Sequence, residues 1–301
     1  MFDWIWLSRV TLLGLAGIGC SAALLLPFLP ENHQNYRKNS DVNLENIPSV
    51  TKAVVPPPLP VIQRQIITKK AGNKVNQAPP FNLQESWNYY ASLFATPTSL
   101  GMVAIGVAEG NYRLVLSQGN LYVQYTKLYF GHTDPGNLSW GEVVTNYGPC
   151  SDQGRSGGNI NAAEQWCLQR ALSQLPTQLM DLNAAGINPN TDIEAVLNAA
   201  DLYNQAKPIH SRYFPQALVM ARRGGKTGIE ALAWARTASF YLNANGQMDL
   251  QTGQNQASGL IGICARENRP VTEWECVYGD QLRRVKAIAD VLDKYRQIYQ
   301  R

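Results

Sequence analysis

The stretch "GMVAIGVAEGNYRL", residues 101–114, decides how the rest of this chain is read. Residues 101–108 are small and apolar throughout, the composition of a helix buried on every side. The run closes on Glu109, and Gly110 marks a helix end. A carboxylate at the lip of a buried helix costs several kcal/mol if it is desolvated without a partner. Its placement calls for a chemical reason.

Downstream, "NLYVQYTKLYFG", residues 120–131, alternates and is rich in Val, Tyr, Thr and Phe, which reads as one or two short strands around Gln124 to Lys127. "HTDPGN", residues 132–137, is turn chemistry. Upstream, Leu83, Trp87, Tyr90 and Phe94 fall at helical spacing, and Thr98 is positioned to cap the helix that ends at Gly110. Past the loop "QGRSGGN", residues 153–159, helical patterns cover residues 162–183, 192–205, 214–222 and 228–244. In the last helix Leu282, Val285, Ile288, Ala289 and Leu292 form one stripe, and Thr272 before "EWEC" is a plausible helix start. The expected fold class is α+β, predominantly helical, with a small β excursion.

The order of pieces, an apolar helix ending in "AEG", a Tyr-rich strand region, then "YFGHT" at Tyr129 to Thr133, resembles the lysozyme superfamily. Phage-type lysozymes carry an "EG" followed some twenty residues later by a "GYGHT"-like element; cyanobacterial proteins with "AEG" and "GHTDPGN" are similar as well. The resemblance spans residues 101–137 and implies a lysozyme-like domain that cleaves peptidoglycan, as a muramidase or a lytic transglycosylase, with Glu109 as general acid. Such an acid must hold a proton near neutral pH, which partial burial and a helix C-terminus both favour; Ile105, Val107 and Ala108 would supply the apolar setting. One departure stands out, because residues 110–131 contain no acid. A second carboxylate would come from Asp134, or from Glu142 or Asp152 further on, with His132 and Thr133 in the same corner. Some lysozyme-like transglycosylases act with one Glu alone. Tyr122, Tyr125, Tyr129, Asn137 and Trp140 are the candidate sugar-binding residues. The same pattern also fits an inactive relative, an envelope scaffold or glycan-binding protein.

The N-terminus sets the compartment. Residues 10–30 carry no charge, and at about 1.5 Å per residue they match the roughly 30 Å hydrocarbon core of a bilayer. With Trp4 and Trp6 as interfacial anchors and Arg9 on the short side, this reads as a single-pass inner-membrane anchor with the remainder extracytoplasmic. A cleaved signal peptide, or lipidation at Cys20, would put the chain in the same compartment. Residues 31–80 are polar and contain "VVPPPLP", a disordered tether, so the domain is expected at residues 81–301. Four cysteines fall as two local pairs, Cys150 with Cys167 and Cys264 with Cys276, the arrangement of disulfides in an oxidising compartment.

The formal net charge of +4 over 301 residues is too small to argue for nucleic acid. There is no Gly-x-Ser-x-Gly elbow or nucleotide fingerprint, and only three histidines. Neither cysteine pair has a His at metal-ligand spacing, so no metal and no cofactor is expected. The partners expected are a glycan polymer, the membrane and an envelope protein.

Overall fold

The computed structural model describes residues 50–54, 81–133 and 144–299. The span at residues 10–30 lies outside them, as do Asp134, Asn137, Trp140 and Glu142. Among the described residues no helix is long and apolar enough to cross a membrane.

Helix α1, Leu83–Ser92, starts where the Asn82 side chain accepts the Glu85 N–H at 3.2 Å. Helix α2, Leu100–Glu109, is the quoted stretch and is buried nearly all round. Ser99 rather than Thr98 is its N-cap residue. Gly106 lets α2 and the following strand approach: a Cβ there would sit 2.2 Å from the Tyr112 ring. At the C-cap Gly110 takes φ 86°, the left-handed value a side chain resists.

The sheet differs from the sequence reading. Strands β2, Tyr112–Ser117, and β3, Asn120–Tyr125, form a hairpin across Gln118 and Gly119, both at positive φ. Residues 127–130 form a short 3-10 helix instead of continuing a strand, because Thr126 Oγ1 accepts the Leu128 N–H and caps the turn. A third strand, β1 at Val50–Lys52, pairs antiparallel with β3. The tether at residues 31–80 is corrected to that extent: Ala53 is buried and donates its N–H to Leu121 O at 2.9 Å. The hairpin's open edge recruits this segment, a tertiary pairing that local composition does not encode. Strand β4, His132–Thr133, pairs with β5, Thr145–Asn146.

The body is helical: α3, Ile160–Ala184; α4, Ile193–Gln205; α5, Pro208–Arg223; α6, Gly228–Ala238; then β6, Tyr241–Leu242, paired with β7, Gln254–Asn255; α7, Ser258–Arg266; and α8, Glu273–Tyr299. Helix α5 begins earlier than read, with Pro208 in its first turn, and α6 stops earlier, at Ala238, where the chain leaves for β6. α2 runs through the middle, packed on α4, α8 and β2. The stripe on α8 is as expected, with Val285, Ile288 and Leu292 buried.

Both cysteine pairs are bonded, Cys150 to Cys167 and Cys264 to Cys276. The second ties α7 to α8, and the first ties the 144–159 loop to α3. Loops of 17 and 12 residues imply about 3 kcal/mol each from the constrained unfolded chain. Replacing Cys150 and Cys167 together with Ser is expected to lower the urea unfolding free energy by about that amount.

His210 is buried, with Nδ1 donating to Ser239 O at 2.9 Å and its ring 4.5 Å from that of Phe240. Burial lowers its pKa, with Lys207 acting the same way against the Ser239 hydrogen bond. A depressed imidazole stays neutral in the fold while the unfolded chain takes up protons below about pH 6.5, so stability falls as pH drops through that value. Melting curves between pH 7.5 and 5 are expected to show this slope, and His210→Asn to flatten it.

Candidate active site

Glu109 ends α2 with its side chain 14% exposed, but the apolar setting expected for its carboxylate is not what it meets. Both oxygens accept hydrogen bonds. Arg284 Nη1 donates to Oε2 at 3.1 Å and Arg284 Nη2 to Oε1 at 2.7 Å, while Asn204 Nδ2 reaches Oε1 at 2.6 Å. Beside them Arg283 Nη1 donates to Ala108 O at 2.9 Å, filling a carbonyl left open by the helix end. The helix dipole, unfavourable for a carboxylate here, is thus opposed by two guanidinium groups.

The pair is the outer end of a buried chain of charges. Arg284 also donates from Nε and Nη2 to Asp201 at 2.9 and 2.6 Å, and Arg236 Nη2 donates to the same carboxylate at 2.7 Å. Asp201 and Arg236 are fully buried, and Arg284 is 3% exposed. Arg236 is completed by Gln281 at 2.6 Å, Gln205 at 3.1 Å and Asn198, so the remaining donors of the fork are met. Burial on its own would raise the Asp201 carboxyl; Arg284 and Arg236 outweigh it and hold it below the ordinary carboxylate range. Desolvation lowers the Arg236 guanidinium, whereas Arg284 is raised against the same desolvation because it faces two carboxylates.

The other expected site residues divide. His132 and Thr133 form β4; His132 Nδ1 bonds to Leu128 O at 2.7 Å, a turn-fastening contact. Asp152 is withdrawn as a second carboxylate: it is fully buried and accepts the backbone N–H groups of Tyr147, Gly154 and Ser156. Tyr129 is withdrawn as a sugar platform. It is 1% exposed, its ring stacks on Tyr125 at 4.5 Å and 9°, and its hydroxyl donates to Glu164. Burial and then that bond push the Tyr129 hydroxyl above its ordinary value. Tyr125 spends one ring face on the same stack, and its hydroxyl meets Thr51 Oγ1 at 3.1 Å. Tyr122 stays partly exposed on β3, across from Lys52 and Val115.

Among the described residues of this corner Phe130 is an exposed aromatic ring, 52% accessible and held edge-on by Tyr129 and Tyr125. On α3, Arg170 lies over Trp166 and Tyr203 and donates to Tyr203 O at 2.8 Å, while Arg155 from the 144–159 loop also lies over Trp166. Among the described residues, the buried atoms Asn204 Oδ1, Arg170 Nη1 and Asn111 Oδ1 have no hydrogen-bond partner.

No family model, curated protein or solved structure matches the chain. What the site can do is therefore set by its own groups. Among the described residues no cluster of three His, Cys, Asp or Glu side chains could hold a metal ion. The residues that sequence reasoning missed, Asp201, Asn204, Arg236, Gln281 and Arg284, are buried on their helices, and a charged or amide side chain on an apolar stripe was the available signal.

Proposed function

We propose that this chain is a membrane-anchored, extracytoplasmic enzyme of lysozyme-like build that cleaves peptidoglycan strands, with Glu109 as the group that exchanges a proton with the glycosidic oxygen. One observation carries the reading. A chain of buried charges, Arg236–Asp201–Arg284–Glu109, ends in a carboxylate that reaches the surface just before the hairpin. A buried ion network is a poor way to gain stability, since apolar side chains of the same volume do as well or better. Ending it at a partly exposed acid, flanked by an amide oxygen on Asn204 that has no hydrogen-bond partner among the described residues, suits an acid that works on a ligand.

For proton donation the Arg284 fork has to yield Glu109, and Asp201 retains Arg284 through two bonds when it does. Released from the fork, the Glu109 carboxylate takes a proton from solvent and gives it to the leaving oxygen as the glycosidic C–O bond breaks. The substrate's own acetamido oxygen or hydroxyl forms the new bond to that carbon, a hydroxyl returning its proton to Glu109, the route open to a site with one carboxylate.

A second reading has its own support. Both Glu109 oxygens are engaged in the resting geometry, as in a structural ion pair, which favours a non-catalytic glycan-binding or scaffold protein. Full-length protein incubated with purified peptidoglycan separates the two. Cleavage releases soluble muropeptides, with reducing ends from hydrolysis or anhydro ends from the internal displacement. Retention on the insoluble material without release identifies the binder, and neither retention nor release rejects both readings.

A further inference from the structure

Beside the His-Thr corner lies a groove of about 360 Å³ lined by Val144, Thr145, Tyr147, Gln153, Gly154 and Gly157. We infer that this groove is a subsite for a neutral sugar ring of the glycan, one that extends the Glu109 site; the inference rests on the glycan reading above.

Placement is the first ground. Thr145 pairs with Thr133 and Asn146 with His132, so the groove wall is the strand partner of the corner. The wall is fastened to the end of α2 as well. Asn111, two residues past Glu109 and fully buried, donates from Nδ2 to Gly148 O at 2.9 Å, and the Gly148 N–H donates to Tyr129 O at 2.9 Å. Tyr147 is thus one residue from a fixed link to Glu109's own turn.

Chemistry of the lining is the second. Among the described residues it offers an aromatic ring, a hydroxyl, a carboxamide and the bare backbone of two glycines, with no formal charge. Those groups suit a polyhydroxy ring with one apolar face. The nearby Arg155 guanidinium is already engaged, its Nη1 donating to Gln153 Oε1 at 2.5 Å and to Asp152 O at 3.2 Å. The volume lies within the range of about 300–1,000 Å³ common for small-ligand sites.

Rigidity is the third. The loop behind the groove is organised around the buried Asp152 carboxylate, which accepts from Tyr147 N at 2.8 Å, Gly154 N at 3.2 Å and Ser156 N at 2.7 Å. The Cys150–Cys167 disulfide anchors the same loop to α3. A ligand entering a wall already fixed in this way does not have to order it. Gln153 is held at φ 57°, a left-handed value that costs a non-glycine residue energy and that this packing enforces.

The test is a titration of the full-length chain with the neutral tetramer of N-acetylglucosamine, run beside retention on peptidoglycan. Tyr147→Ala removes the ring and Tyr147→Trp enlarges it. Gly157→Asn adds a side chain where the position opens on free space and has φ 58°, a backbone Asn tolerates, so it obstructs the groove without touching the core. The expected result is binding by the wild type, roughly tenfold weaker in Tyr147→Ala and in Gly157→Asn and retained in Tyr147→Trp. Equal tetramer binding by all four proteins overturns the subsite and leaves the glycan reading in place. So does retention on peptidoglycan that no variant alters, with no tetramer bound. Absence of binding to either material removes both.

Discussion

Asp201→Asn is expected to lower the unfolding free energy by about 3–5 kcal/mol, the usual cost of breaking a buried ion pair from one side. The carboxylate accepts from two guanidinium groups, and neither it nor Arg236 has access to water. Removing its charge leaves Arg236 with Gln281, Gln205 and the Asn198 carbonyl, all neutral, so a buried cation loses its counterion while Arg284 keeps Glu109. An amide in place of the carboxylate also turns an N–H₂ toward one of the guanidinium groups, a donor facing a donor. Urea unfolding with an unchanged slope measures the effect. Arg212→Ala, which breaks the Asp181 pair at a 61% exposed guanidinium, is the control and is expected to cost no more than about 1 kcal/mol. The pH dependence has a definite sign. Asp201 is held below the ordinary carboxylate value, so its contribution is complete above about pH 4 and is lost as pH falls through the folded-state pKa. The acid limb of the wild-type stability curve is therefore expected to be steeper than that of Asp201→Asn. A loss under 1 kcal/mol would show that the network contributes nothing the surrounding packing does not.

The fold was legible where one helix face or one cap decides it. Gly110 and the stripe from Val285 to Leu292 each do their work locally, and the corresponding helices were read correctly. Two local disulfides were legible for the same reason, since partners 17 and 12 residues apart leave few alternatives. The β region was less so. β2 was missed because "YRLVLS" directly follows a helix end, and β1 because its partner lies some seventy residues on, at Gln124 to Tyr122. At the site, the position of Glu109 was legible and its environment was not. An apolar run predicts what lies along α2, but the groups that meet the carboxylate come from α4 and α8, 95 and 175 residues later. Arg284 stands three residues after Gln281 and four before Ile288, all on the buried side of α8. A guanidinium in that register has to find a buried anion, and "DQLRR" followed by an apolar stripe carried that demand in plain sight. The Tyr-rich strand misled in the opposite direction: rings suited to stacking on a sugar were used to stack on one another.

Glu109→Gln separates chemistry from architecture. Under the catalytic reading the release of soluble muropeptides is expected to fall by about 10²–10⁴-fold, the contribution typical of a positioned general acid. The architecture survives, because an amide oxygen can still accept from Arg284 or Asn204 and Asp201 retains its two bonds from Arg284. One amide N–H₂ facing the guanidinium fork is the defect, worth about 1–3 kcal/mol of stability, so the variant is expected to remain folded at room temperature with a lowered melting point. Asp201→Asn has the complementary signature. It removes more stability than Glu109→Gln, yet each molecule that stays folded keeps the acid and much of its rate. The two substitutions therefore cross over when melting temperature and initial rate per folded molecule are measured side by side. A Glu109→Gln protein that releases muropeptides at the wild-type rate would leave Glu109 as a structural anchor for α8. A wild type that binds peptidoglycan without releasing any would give the same residue that role, in a protein that holds the wall instead of cutting it.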